Sequence, residues 1–206
     1  YQTFIFVAWT VIPNTVLGLA IAMMIHRIQS KIYAALILGC FFIPHILPVT
    51  VVTDLWNSMT SNDLGVIQWI VKIFQDDPIP FFRHKIFAMP SVALITVWWT
   101  VGFNVLLFLA GLKMINPEIY EASEIDGANR FHQFRFITWP LIWPITALVL
   151  TLQLIFQLKI FDQMFLLTGG GPYNKTMVVL YHVYKQSFIL NKGGYASAVA
   201  LLIFLF

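Results

Sequence analysis

The sequence predicts an all-α polytopic membrane protein, one that crosses the bilayer several times. Of its 206 residues, 59% are hydrophobic and 10% are charged, whereas an ordinary soluble domain is about one-quarter charged. The apolar residues occur in runs, and most of these are long enough to span about 30 Å of hydrocarbon as helices. One long polar interruption, residues 116–140, separates two of the runs and has the signals of a folded helix-turn-helix.

We expect about five membrane helices. The apolar runs cover about residues 4–25, 32–56, 87–112 and 140–160, and an incomplete fifth run opens at Gly193. Pro44 and Pro48 should break or kink the second run, because each removes a backbone donor and clashes with the preceding turn. We expect a single transmembrane domain, residues 1–206, truncated at both ends, since the chain opens on Tyr1 and the last apolar stretch, residues 195–206, is about 18 Å long as a helix.

The segments between the runs differ in character. A short basic turn, residues 26–31, follows the first run and weakly favours the cytoplasmic side there. Residues 57–85 carry charges and predict a surface helix, because apolar residues recur at helical spacing: Leu64, Ile67, Ile70, Val71 and Phe74. Three glycines and a proline in residues 167–172 predict a break in regular structure. Residues 173–191 mix basic and aromatic side chains, which suits a partly buried segment at a membrane boundary.

The polar interruption has helix start and stop signals in the right order. Asn116 can cap a helix whose first position is Pro117, and Gly127 offers the left-handed stop that helix ends favour. Asn129 can cap a second short helix that ends before Pro140. The first helix carries three carboxylates at three-residue spacing: Glu118, Glu121 and Glu124. They lie on one face of the helix, and that face must contact water or a basic partner.

The polar interruption resembles the EAA loop of the membrane-spanning subunits of binding-protein-dependent ABC importers. The matching residues are Glu121, Ala122, Ser123, Gly127, Ile137 and Pro140; Ser123 stands for the second Ala of the pattern and Trp139 for its Leu. The resemblance implies the type I importer transmembrane fold, with residues 116–138 as a cytoplasmic coupling loop that sits in a cleft of the ATPase. It assigns the ATPase contact to Glu121, Ala122, Ser123, Asp126, Gly127, Ala128, Ile137 and Pro140.

Further segments resemble the sugar permeases of that family, those similar to the maltose and glycerol-phosphate systems. They are residues 18–20, 26–27, 108–112, 125–128, 161–162, 168–172 and 194–198. This resemblance implies one half of a sugar pathway in a bacterial or archaeal cytoplasmic (inner) membrane. The implied partners are a second permease subunit, two ATPase subunits and an extracytoplasmic substrate-binding protein. ATP and Mg²⁺ would bind the ATPase, and this chain would hold no cofactor and catalyse no reaction.

Uncharged polar residues inside the apolar runs are candidates for the solute pathway, because such groups are costly in hydrocarbon and face a cavity or a neighbouring helix. Beside aromatic rings they could bond a neutral sugar's hydroxyls while the rings cover its apolar face. The candidates are Thr96, Trp99, Thr100, Phe103, Asn104, Gln153, Phe156 and Gln157. The alternative is that these groups only join helices to one another.

Several other kinds of site are not expected. The glycines at 169–171 lack the Lys-Ser or Lys-Thr pair of a phosphate-binding loop. The five histidines have no metal-ligand spacing, the single Cys40 can form no internal disulfide, and the alternating charges do not favour nucleic acid. Two rival functions remain. One is an ion-coupled secondary transporter that uses Asp54 and His45, and the other is a scaffold that tolerates Leu at the polar pathway positions.

Overall fold

The computed structural model describes residues 1–62, 65–74 and 77–205, and in these residues all regular structure is helical. The helices are α1 (Gln2–His26), α2 (Lys31–Ile46), α3 (Val49–Met59), α4 (Val66–Lys72), α5 (Ala88–Lys113), α6 (Pro117–Ile125), α7 (Arg130–His132), α8 (Trp139–Leu158), α9 (Val179–Tyr184) and α10 (Gly193–Leu205). Three π-helical turns accompany them: Gln133–Thr138, Met164–Thr168 and Lys185–Ile189.

Three helical segments of the described chain are long and apolar enough to cross a membrane: Gln2–His26, Ala88–Lys113 and Arg130–Leu158. The predicted second span is broken as expected, since α2 and α3 meet at an angle of 99°. Pro44 stays inside α2, whereas Pro48 directly precedes α3. If that bent pair counts as one span, there are up to four, and α10 is a shorter apolar helix.

The predicted end of a short helix before Pro140 is wrong. Helical structure runs without interruption from Arg130 to Leu158, so the fourth span begins about ten residues earlier than its apolar run. In an α-helix the ring of Pro140 would clash with the carbonyl of Phe136, four residues earlier. Phe136 lies inside the π-helical turn Gln133–Thr138. Membrane helices accommodate proline through such local π adjustments.

The predicted surface helix in residues 57–85 is short. Among the described residues of this segment, α4 is the one helix that begins and ends within it; Ile70 on α4 and Phe74 just beyond its end are exposed, and Leu64 lies outside the described residues. The segment is anchored by Gln68, whose buried side chain donates to the carbonyls of Thr60 and Ile79 and accepts from the Ile79 N–H. A buried amide therefore helps to hold this loop, beside the half-buried Ile67.

The chain forms two compact units. One comprises Tyr1–Thr10, Leu47–Thr96 and Phe156–Phe206. In it α10 packs against α9, and Thr3 Oγ1 accepts a hydrogen bond from the Val179 N–H at 3.0 Å. The predicted break at residues 167–172 is present, with Gly169 and Gly170 at positive φ.

The other unit comprises Val11–Ile46 and Val97–Ile155 and holds a cluster of buried apolar residues. Helices α1, α5 and α8 supply its members: Leu19, Ala22, Ile25, Val101, Val105, Phe108, Leu109, Leu112, Ile142 and Val149. Between membrane helices such contacts stabilise the bundle by van der Waals packing, since lipid tails are as apolar as these side chains. This unit also contains the polar helix-turn-helix.

Candidate functional site

The elbow, defined here as residues 116–138, has the caps that its sequence predicts. The Asn116 side chain accepts from the Glu118 N–H at 3.1 Å, and the Asn129 side chain accepts from the His132 N–H at 3.0 Å. Gly127 separates the two helical segments with a φ of 80°. Each bond satisfies a backbone donor that a helix start would leave unpaired, so both segments are locally well defined.

The side chains predicted to contact an ATPase lie mostly on the surface of the elbow. Exposed positions are Glu121, Ala122, Asp126, Gly127 and Pro140, and half-buried ones are Ser123, Ala128 and Ile137. The carboxylates of Glu118 and Glu124 are exposed as well. The elbow therefore presents an acidic outer face that a basic or polar partner surface could cover.

The inner side of the elbow is joined to the start of the fourth span by side-chain hydrogen bonds. The hydroxyls of Tyr120 and Thr138 are 2.9 Å apart, and Gln133 Nε2 donates to Ser123 Oγ at 3.1 Å. Beside these contacts a cavity of about 550 Å³ opens, with Arg27, Glu124 and Arg130 among the residues that line it.

Inside the same unit, three of the predicted pathway residues belong to one polar network. Gln153 donates to Asn104 Oδ1 at 2.9 Å. Asn14 donates to Thr100 Oγ1 at 2.6 Å and to Gln153 Oε1 at 3.3 Å. Because α1, α5 and α8 each contribute a side chain, the network joins three helices, and this arrangement favours the helix-joining alternative for Thr100, Asn104 and Gln153.

Two atoms of that network have no hydrogen-bond partner in the described part of the chain. They are the acceptor Asn14 Oδ1 and the donor Asn104 Nδ2, and both residues are at most 1% exposed. A buried polar atom without a partner is costly, so the network is not saturated by its own members.

The remaining pathway candidates lie in different surroundings. Trp99 and Phe103 are half-buried on α5, where the His45 ring stacks on Phe103 with centroids 5.3 Å apart and lies 6.3 Å from the Trp99 ring. Thr96 is buried and donates to the Val92 carbonyl of its own helix. Phe156 is 55% exposed, whereas Gln157 is 3% exposed, so these two neighbours point to different sides of α8.

Sequence reasoning missed two parts of this arrangement. Asn14 is an amide within an apolar helix, and the rule that singled out Gln153 would have found it too. Tyr120 and Thr138 carry no local signal, because their contact depends on how α6 folds back. Among the described residues, no group of three or more His, Cys, Asp and Glu side chains could hold a metal ion.

Comparison with known proteins identifies the family. A family model for the inner membrane component of binding-protein-dependent transport systems matches residues 14–206. The chain is 32% identical over 209 residues to the trehalose/maltose transport system permease protein MalF of Thermococcus litoralis, with 99% of this chain and 69% of that protein covered. It is 29% identical over 212 residues to the inner membrane ABC transporter permease protein YcjO of Escherichia coli, with 100% and 69% covered.

A solved structure has the same fold. It is a bacterial ABC transporter involved in the import of the acidic polysaccharide alginate, with a TM-score of 0.89 and 24% identity, covering 98% of this chain and 71% of that one. The expected importer fold and inner-membrane location are thus confirmed, and the matches do not support the ion-coupled alternative built on Asp54 and His45. This chain belongs to the family of binding-protein-dependent transport system inner membrane components, the permeases of ABC transporters.

Proposed function

We propose that this chain forms half of the translocation pathway for a sugar or sugar-like solute in an ATP-driven importer. A second permease subunit supplies the other half, two ATPase subunits power the cycle, and an extracytoplasmic binding protein delivers the solute. The substrate class is supported by the trehalose/maltose system named for the relative from Thermococcus litoralis. The alginate importer, which shares the fold, is also a carbohydrate system.

The observation that carries the coupling proposal is the elbow itself. Its α6 is capped at both ends, exposes its carboxylates, and is bonded to a helical segment that continues into the membrane. Glu121 and its neighbours sit in a cleft of the ATPase, and movement of the ATPase subunits displaces α6. Because the elbow is stiff, that displacement reaches the spans on either side and switches the direction in which the pathway opens.

ATP and Mg²⁺ bind the ATPase subunits in this proposal, and the chain described here supplies no catalytic group. Its glycine run, residues 169–171, is followed by Pro172 and not by the Lys-Ser or Lys-Thr pair that a phosphate-binding loop needs. The chain's role is mechanical, since it forms a conduit and moves in response to its partner.

For the solute we propose contacts at the half-buried aromatic cluster and at the polar network beside it. His45, Trp99 and Phe103 offer ring faces on which a sugar's apolar side can stack. Asn14 Oδ1 and Asn104 Nδ2 are an acceptor and a donor without partners among the described residues, and a sugar hydroxyl can both donate and accept. Phe156, Gln157 and Thr96 are the remaining proposed pathway positions.

Gly127→Val in the complete transporter tests the coupling proposal. A Cβ added at Gly127 would meet no atom within 4 Å, but the φ of 80° strains any β-branched residue. Only the elbow's conformation is therefore perturbed. We expect ATP hydrolysis to continue in proteoliposomes while solute uptake falls, with the amount of solute moved per ATP as the measurement.

Gly39→Val is the matched control, because a Cβ added at Gly39 also meets no atom within 4 Å and the φ of Gly39 is not positive. This variant should keep the wild-type ratio of solute to ATP. Full uptake by Gly127→Val would count against the elbow as the coupling element. Uptake by the wild-type chain in vesicles without any ATPase would overturn the proposed function as a whole.

A further inference from the structure

Helix α6 is held in place without buried apolar side chains. None of its residues is buried, and neither is any residue of α7. The cavity of about 550 Å³ beside it further limits solid packing against the end of α1. The position of α6 must therefore depend on polar contacts with the helical segment that leads into α8.

Four residues supply those contacts. Thr138 Oγ1 lies 3.3 Å from the Gln133 carbonyl, which accepts from it, and 2.9 Å from the Tyr120 hydroxyl, a pair in which either oxygen can be the donor. Ser123 Oγ donates to the Tyr120 carbonyl at 2.7 Å, so it accepts from the Gln133 amide. Counted by residue, the four bonds form a closed set. Tyr120 bonds to Thr138, Thr138 to the Gln133 carbonyl, the Gln133 amide to Ser123, and Ser123 to the Tyr120 carbonyl.

This closed set, called the hydrogen-bond ring below, depends on the π-helical turn Gln133–Thr138. In an α-helix, residues five positions apart point about 140° apart. A π-helical turn joins residue i to residue i+5, so Gln133 and Thr138 can face α6 together.

Ser123 is the residue at which this sequence departs from the Glu-Ala-Ala pattern, and it supplies two of the four bonds. Thr138 is 7% exposed, while the other three members are half-buried. Water therefore competes only partly for these groups. The ring ties α6 to the base of α8, and the carboxylates of α6 stay exposed on the other side.

We propose that the hydrogen-bond ring is the joint through which displacement of α6 moves α8. Tyr120, Ser123, Gln133 and Thr138 are then positioning residues for transport, and none of them contacts solute or nucleotide. This inference rests on the proposed coupling to an ATPase. It adds the specific bonds that carry the displacement and explains why a hydroxyl stands at position 123.

The test uses the complete transporter in proteoliposomes with Tyr120→Phe, Ser123→Ala and Thr138→Val, each of which removes one hydroxyl with little change in volume. Thr146→Val is the control, because among the described residues the buried Thr146 hydroxyl bonds to the Ile142 carbonyl of its own helix and to no other element. Solute moved per ATP, the ATPase rate and co-purification of the ATPase are measured together. Co-purification separates a loose joint from failed assembly.

We expect the three ring variants to retain the ATPase and hydrolyse ATP, while solute per ATP falls about three- to tenfold, the factor of one neutral hydrogen bond. Thr146→Val should keep the wild-type ratio. The double variant Tyr120→Phe/Thr138→Val should move no less solute per ATP than the more impaired of the two single variants. Either single change already removes the bond between these two hydroxyls.

Two results overturn the inference. One is a wild-type ratio of solute to ATP in both Tyr120→Phe and Ser123→Ala, and the other is an equal loss in Thr146→Val. Either result leaves the proposed function standing if wild-type uptake still needs the ATPase and ATP. ATPase-independent uptake by the wild-type chain would remove the proposed function, whatever the ring variants do.

Discussion

Gly102→Ala should loosen the contact between α2 and α5. A Cβ at Gly102 would lie 2.5 Å from the Phe41 carbonyl carbon and 2.8 Å from Phe42 Cα. These are backbone atoms that cannot rotate away, so α2 must shift by roughly 1 Å to restore a contact of about 3.5 Å. Overpacking of this kind costs about 1–3 kcal/mol. The gain in helix propensity from Ala is at most about 1 kcal/mol, so the steric cost decides the sign.

The shift should also affect the aromatic cluster, since His45 lies one turn beyond Phe41 on α2 and stacks on Phe103 of α5. We expect a lower melting temperature, by about 2–4 °C for each kcal/mol lost at this chain length, and weaker solute binding. Thermal unfolding of the purified transporter in detergent measures the first effect. The KM for solute uptake measures the second.

Gly39→Ala is the matched control on α2, because its added Cβ meets no atom within 4 Å. This variant should be as stable as wild type or slightly more stable, as expected for Ala in place of Gly inside a helix. If Gly102→Ala melts at or above the temperature of Gly39→Ala, the close approach of α2 and α5 is not as described. The reasoning from it to the aromatic cluster then fails as well.

The other predictions concern buried amides. Gln153→Leu removes a hydrogen-bond partner from the buried Asn14, so we expect about 1–3 kcal/mol lower stability, seen as an earlier thermal transition; an unchanged transition would mean that the network does not join the helices. Gln68→Leu leaves the Ile79 N–H and carbonyl without their side-chain partner, and we expect faster limited proteolysis within residues 57–85. Equal proteolysis of this variant and wild type would show that Gln68 does not anchor the loop.

Features set by neighbouring residues could be predicted from the sequence. Asn116 and Asn129 cap helices through bonds to N–H groups two and three residues away. The positive φ of Gly127 follows from its place after a helix end. The apolar runs also predicted the long helices, because hydrocarbon thickness sets their length.

Features that depend on how distant segments meet could not be predicted. Pro140 was expected to end a helix, but the π-helical turn before it lets the helix continue. Ser123 stands where the family pattern has Ala, and nothing in its neighbours shows that it bonds to a residue ten positions away. Asn14 and Gln153 are 139 positions apart, and their contact exists only when α1 and α8 pack together.

The placement of these polar contacts along α8 suggests how a displacement at the elbow is distributed. Thr138 binds Tyr120 at the base of the helical segment, and Gln153 lies 15 residues further along, about 22 Å away in a helix. Gln153 bonds to Asn14 of α1 and Asn104 of α5. A movement that enters α8 through the elbow therefore reaches α1 and α5 by directional bonds, whose geometry tolerates less sliding than apolar contact does. The same amides that join the helices would then transmit the change that opens or closes the solute pathway.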